Sequence, residues 1–187
     1  MGGRGASSGD VGKISQNLNA IRNAKRENLI IFDNNGNIIA TETGNKQHVG
    51  YTEKDYKDRI VAHNHPNGVM PYPSEQDFKT AEKSGMKEMI VVSKDYTISY
   101  SIDKSYKGYG RQGIGYTIER NKNELRNIKE SINNKTIRDY RNGKYKSVED
   151  YRNDTIKKQT EAVLREYKKY AKNSGYKLKI TKRKKGE

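Results

Sequence analysis

Two hydrophobic periodicities divide the chain. Up to about residue 105 the apolar positions cluster in short β-branched runs, 29–32, 37–40, 89–93 and 97–102, which predict strands. Beyond about residue 117 they recur at three- and four-residue spacing, which predicts helices. The first strands read "NLIIFDNNGNIIATETG", two runs around Asn-Asn-Gly, a hairpin over 28–43 because Asn and Gly tolerate the positive φ of tight turns. A third strand, "DRIVAHNH", precedes "SEQDFKTAEKSG", which opens on a capping residue after Pro73 and stops at Ser-Gly as a three-turn helix does. "KEMIVVSKDYTISYSID" supplies two more strands. Ile14, Leu18 and Ile21 predict a short helix over 13–26, behind a Gly- and Ser-rich stretch, 1–12, expected to be disordered because it has almost nothing to bury.

The fold class expected is therefore α/β (α+β), a mixed β-sheet with flanking helices over 13–107. "KGYGRQGIGY" has four glycines in ten residues and breaks the pattern, so 108–116 reads as a linker. Residues 117–132 and 147–173 read as helices, the second with an imperfect stripe from Val148 to Tyr170, and "GYKLKITKRKKGE" as a short alternating strand with a basic tail. Residues 117–187 then form a basic, mainly helical C-terminal extension.

Composition sharpens this division. Hydrophobic residues are 31% and charged residues 33% of 187, so a compact core needs the apolar content concentrated where the strands are. The net charge of +15 is concentrated too: from Glu119 onward 22 Lys and Arg face 10 Asp and Glu. Such a surface suits an acidic protein partner, a nucleoprotein complex or a nucleic acid, with Tyr140, Tyr145 and Tyr151 available to stack on bases. No apolar run approaches the roughly 20 residues that span a bilayer, and the N-terminus lacks the apolar centre of a secretion signal. The expectation is a cytoplasmic protein with no membrane partner. With no cysteine, any transition-metal site must use His and carboxylates.

Two of the three histidines stand one residue apart in "VAHNHPNGVMPYPSEQD". Alternation along a strand points His63 and His65 the same way, with Cα atoms about 6.5 Å apart, close enough to converge on one ion. Asp77, brought back by the Pro-rich turn, can supply a third ligand and leave a fourth position for water, the arrangement of a catalytic zinc. Ser74-x-x-Asp77 also has the spacing of a helix capping box, and Ser74 can both cap the helix and hydrogen-bond a ligand. His48 reads as a loop residue.

The same stretch resembles the signature of the JAMM (JAB/MPN) zinc metalloproteases, His-x-His-Pro followed by Ser-x-x-Asp, and "HNHP-x-G" is similar to the RadC-like and phage-borne branches. The resemblance covers about 28–105 and implies a cytidine-deaminase-like core, zinc on His63, His65 and Asp77, Ser74 stabilising the tetrahedral intermediate, and a glutamate on an upstream strand as general base. Glu42 is the best match for that base and Glu53 the fallback. The eight residues between His65 and Ser74 are one more than usual, and only twenty separate Glu42 from His63. "MGGRGASSG" resembles a segment of phage and integrative-element proteins, which implies a mobile-element protein of a bacterial host. The activity implied is zinc-dependent cleavage of a peptide or isopeptide bond. An alternative is a non-catalytic zinc-containing inhibitor, similar to anti-CRISPR proteins, that binds a type II CRISPR effector nuclease. A third is a nucleic-acid-binding accessory protein acting through 117–187.

Overall fold

A computed structural model of the chain describes residues 8–45, 49, 53–103, 105 and 112–183. Six strands form one mixed sheet in the order β2-β1-β3-β4-β5-β6: β1 Asn28–Phe32, β2 Ile38–Thr43, β3 Ile60–Asn64, β4 Glu88–Val92, β5 Tyr96–Ile102 and β6 Tyr176–Lys182. Five helices accompany them among the described residues: α1 Ser8–Arg22, α2 Glu75–Ser84, α3 Ile114–Arg120, α4 Lys122–Arg141 and α5 Val148–Lys172. Neighbouring strands pair antiparallel except β3 and β4, which run parallel and are joined through α2. No helix among the described residues is long and apolar enough to cross a membrane.

The expected hairpin over 28–43 is present. Its turn is held by the Asp33 carboxylate, which accepts from the backbone N–H of Asn35 at 2.8 Å and of Asn37 at 2.9 Å, while Gly36 takes φ 78°. The helix read over 13–26 runs instead from Ser8 to Arg22, so part of the stretch expected to be disordered is its first turn.

Alternation sorts the strands onto two faces. Ile30, Phe32, Ile60, Ala62, Ile90 and Val92 point toward α1, against Leu18, Ile14 and Ile21. Leu29, Ile31, Val61, Met89, Val91, Ile98 and Tyr100 point the other way, into the larger core under α2 and α5. There Phe78 of α2 meets Tyr100 edge-on at 4.8 Å and Tyr167 of α5 at 5.4 Å. Edge-to-face contact places the positive ring edge on the negative face of its neighbour, which fixes α2 to both sheet and helix.

The C-terminal third is part of this body rather than an appendage. β6 pairs with β5 along its whole length, and its alternation turns Tyr176, Leu178 and Ile180 toward the core and Lys177 and Lys179 away. α5 adds Val163, Leu164, Tyr167 and Ala171 to the same core. Of the stretch read as linker, 108–111 lie outside the described residues, while Gly113 and Gly115 pack. A Cβ on Gly113 would lie 1.8 Å from Glu82 Oε2, and one on Gly115 would lie 2.9 Å from the backbone nitrogen of Lys79. Bare backbone therefore lets α3 press against α2, and the Glu82 carboxylate accepts from Gly115 N–H at 3.1 Å and from the Tyr100 hydroxyl at 2.6 Å. Nor do the three tyrosines expected to meet bases stand apart: Tyr151 packs on Tyr140 at 5.3 Å and on Tyr145 at 6.0 Å, closing the tip of the α4–α5 hairpin.

Because the clash at Gly115 involves backbone, Gly115→Ala should destabilise the protein by about 1–3 kcal/mol in urea unfolding, with circular dichroism and tyrosine fluorescence reporting one coincident transition. Two separated transitions in the unmodified protein would mean that the C-terminal third folds on its own.

Candidate metal centre

β3 is apolar on both faces except at its end, where "HNH" interrupts the run. His63 lies on the face covered by α2, opposite Leu29 of β1 and Val91 of β4. His65 is one step past the strand, yet its N–H still donates to Val92 O at 2.8 Å, so the ladder with β4 continues and the side chain returns to the same face. Asn64 points the other way and is fully buried. Its carbonyl oxygen accepts from Asn28 N–H at 2.7 Å and its amide donates to Arg26 O at 3.1 Å, which pins the strand end between the two histidines.

The chain then turns through 66–73, with Val69 N–H donating to Pro66 O and Gly68 at φ 88°. This loop brings Met70 O to 2.7 Å from His65 Nδ1, which fixes the proton on Nδ1 and leaves the Nε2 lone pair facing inward. α2 follows. The Ser74 hydroxyl accepts from Asp77 N–H at 3.1 Å, while Asp77 Oδ2 accepts from Ser74 N–H at 2.6 Å and from its hydroxyl at 2.8 Å. This is a capping box with Asp in the place of Glu, and its by-product is a carboxylate aimed back at the strand end.

Three side chains meet there. His63 Nε2 is 3.1 Å from His65 Nε2 and 3.4 Å from Asp77 Oδ1, and His65 Nε2 is 3.6 Å from Asp77 Oδ2. Tetrahedral ligands bonded at about 2.05 Å lie about 3.3 Å from one another, so these separations are those of donors around one ion. Both histidines are buried. Desolvation pushes the Asp77 carboxyl up, but the neighbouring imidazoles outweigh it, His63 above all, and hold the group well below the usual carboxylate range. Burial alone would lower His65, yet Asp77 and the Met70 carbonyl raise it. His63, His65 and Asp77 thus form a buried group that can hold a metal ion.

The remaining expectations fare differently. Ser74 is at the site, but its hydroxyl donates to Asp77 Oδ2, so it braces the carboxylate. Glu42 shares the His63 face by register, with Leu29 between them, and is exposed to solvent on the edge strand. Two strand spacings make that separation about 9.5 Å between backbones. Glu53 opens a 3-10 turn, Glu53–Tyr56, its side chain outside the described residues, and His48 lies outside them altogether.

Glu27 is the residue the sequence reading passed over. Its backbone extends the β1–β2 pairing, donating to Asn45 O at 2.8 Å and accepting from Gly44 N–H at 2.9 Å, so alternation places it on the Leu29 face. It is buried, and its charge contributes to raising His65. A cleft of about 300 Å³ opens beside His65 between the 66–72 loop, the 93–95 turn and Ile156, Gln159 and Thr160 of α5.

Comparison of the chain with models of protein families, with curated proteins and with solved structures finds no match in any of the three. The site therefore rests on its own geometry.

With zinc as the probe, the protein should take up one equivalent, and free zinc at about a hundredfold over Kd should raise its unfolding free energy by about 2.7 kcal/mol. The double variant His63→Ala/His65→Ala should show neither uptake nor stabilisation. Metal content equal to that of the unmodified protein in this variant, by elemental analysis, would place the ion elsewhere.

Proposed function

We infer that the protein is a zinc-dependent hydrolase of a peptide or isopeptide bond, with the ion on His63, His65 and Asp77 and with Glu27 as general base. The observation that carries this reading is the donor triangle. Two nitrogens and one carboxylate match zinc better than calcium or magnesium, which prefer oxygen alone, and three protein ligands leave room for a fourth.

Zinc bound there supplies a Lewis acid and a water whose pKa falls to about 7. The chain supplies the rest. With the ion held by His63, His65 and Asp77, Glu27 would act as the proton carrier, taking the proton of the attacking water and returning it to the leaving nitrogen as the carbon–nitrogen bond breaks. Its burial on the histidine face supports this role over Glu42, which stands in solvent one strand further out. Asp77, braced by Ser74, and His65, braced by Met70 O, keep their orientation through the cycle.

A second reading is a binding protein in which the ion only ties β3 to α2, as in an inhibitor of a host nuclease. It is favoured by the engagement of the Ser74 hydroxyl, which takes that donor away from a developing oxyanion.

Glu27→Gln should retain one zinc and lower cleavage of a panel of fluorogenic peptide and isopeptide substrates by about 10²–10⁴-fold, whereas Glu42→Gln should stay within about threefold of the unmodified protein. The reverse pattern would move the base to Glu42. Zinc uptake with no cleavage of any substrate in the panel would decide for the binding protein.

A further inference from the structure

Arg22, the last residue of α1, is buried on the sheet face opposite the metal centre. Its guanidinium donates through Nη1 to Ser93 O and to Tyr96 O, the latter at 2.9 Å, and through Nη2 to Thr97 Oγ1 at 2.7 Å. Those acceptors surround the 93–95 turn between β4 and β5, which is closed by Ser93 N–H donating to Tyr96 O at 2.9 Å. Ser93, itself buried, sends its hydroxyl to Pro71 O at 3.1 Å. Pro71 directly follows Met70, whose carbonyl fixes the Nδ1 proton of His65.

We propose that Arg22 and Ser93 are positioning residues of the metal centre, acting through the β4–β5 turn on the 66–73 loop that sets the tautomer and ring orientation of His65. The physical reason lies in the loop. Eight residues separate His65 from Ser74, and over that length a carbonyl aimed at an imidazole needs an anchor of its own. Ser93 is that anchor, and Arg22 holds the anchor by satisfying two buried carbonyls that lysine cannot bridge in the same planar geometry. Neither residue touches the ion. Both act through the loop that carries Met70 O, the hydrogen-bonding partner of His65; loss of such a partner itself typically weakens metal affinity by about 10–100-fold, and loss of its support belongs at the lower end of that range.

This deepens the zinc reading and rests on it for one of its two readouts. Ser93→Ala should weaken zinc binding by about tenfold by competition titration, while the metal-free protein, its urea midpoint lowered by the lost buried hydrogen bond, still unfolds in one cooperative transition. The second readout needs no metal. In the metal-free protein at about pH 9, where an ordinary imidazole is neutral, the 15N shifts of His65 should report the Nδ1-protonated tautomer, and Ser93→Ala should shift them toward a mixture. Arg22→Lys should weaken zinc binding as well, and its effect should shrink markedly in the Ser93→Ala background, because the two residues act in series. Zinc affinity within twofold of normal in Ser93→Ala together with an unchanged tautomer would overturn the proposal, as would fully additive effects. If the unmodified protein binds no zinc, the hydrolase reading fails while the tautomer comparison still decides the relay.

Discussion

Two imidazole nitrogens held 3.1 Å apart inside a protein need something positive between them. The Met70 carbonyl puts the His65 proton on Nδ1, so its Nε2 offers a lone pair toward His63, and Asp77 adds a negative charge. Without a cation the group must be held together by a proton; with one, all three donors are satisfied at once. Burial raises the stakes, since an unpaired charge or donor out of water costs far more than one at the surface. The rest of the architecture can be read as what is needed to hold that arrangement against its own electrostatics.

Each donor is held by a different element, and each element is held by backbone. His63 is fixed by ladder pairing on both sides of β3, and His65 by one further bond to Val92 O. Asp77 is fixed because the capping box that starts α2 needs its Oδ2, which leaves Oδ1 turned toward His63. Helix initiation and the placement of this carboxylate are thus one interaction. The N-terminal end of a helix also favours a carboxylate by its dipole, so the same position suits Asp77 on electrostatic grounds.

The strands, the hairpin and the meeting of His63, His65 and Asp77 are legible because local rules govern them. Alternation fixes which way His63 and His65 point, and Asn-Asn-Gly fixes a turn, without reference to distant residues. What was not legible depends on long-range pairing. Glu42 and Glu27 both sit beside apolar runs, and only the register of β1 against β3, Leu29 opposite His63, separates an exposed edge position from a buried one near the centre. A signal was there: Glu27 shares the alternation of Leu29 and Ile31, and a charge on the inward phase of a buried strand calls for a partner. Gly113 and Gly115 were misread for a similar reason, since glycine-rich composition describes a flexible linker and a close helix contact equally well. Asn64 carried no periodic signal at all, because its value lies in bonding two segments that are distant in sequence.

The basic third of the chain changes meaning once β6 is seen in the sheet. A positively charged arm on a tether would bring a partner to the protein without touching the site. Here α5 packs Tyr167 against Tyr72 and Phe78, and its Ile156, Gln159 and Thr160 form one wall of the cleft whose other wall is the metal loop. The lysines of α5 therefore belong to the same helix that lines the cleft beside His65. Ile156 and Met70, both largely exposed across that cleft, give it an apolar lip beside the charge. The charged helix, the apolar lip and the loop that carries Met70 thus belong to one packed layer, held together by the Tyr72–Tyr167 and Phe78–Tyr167 contacts.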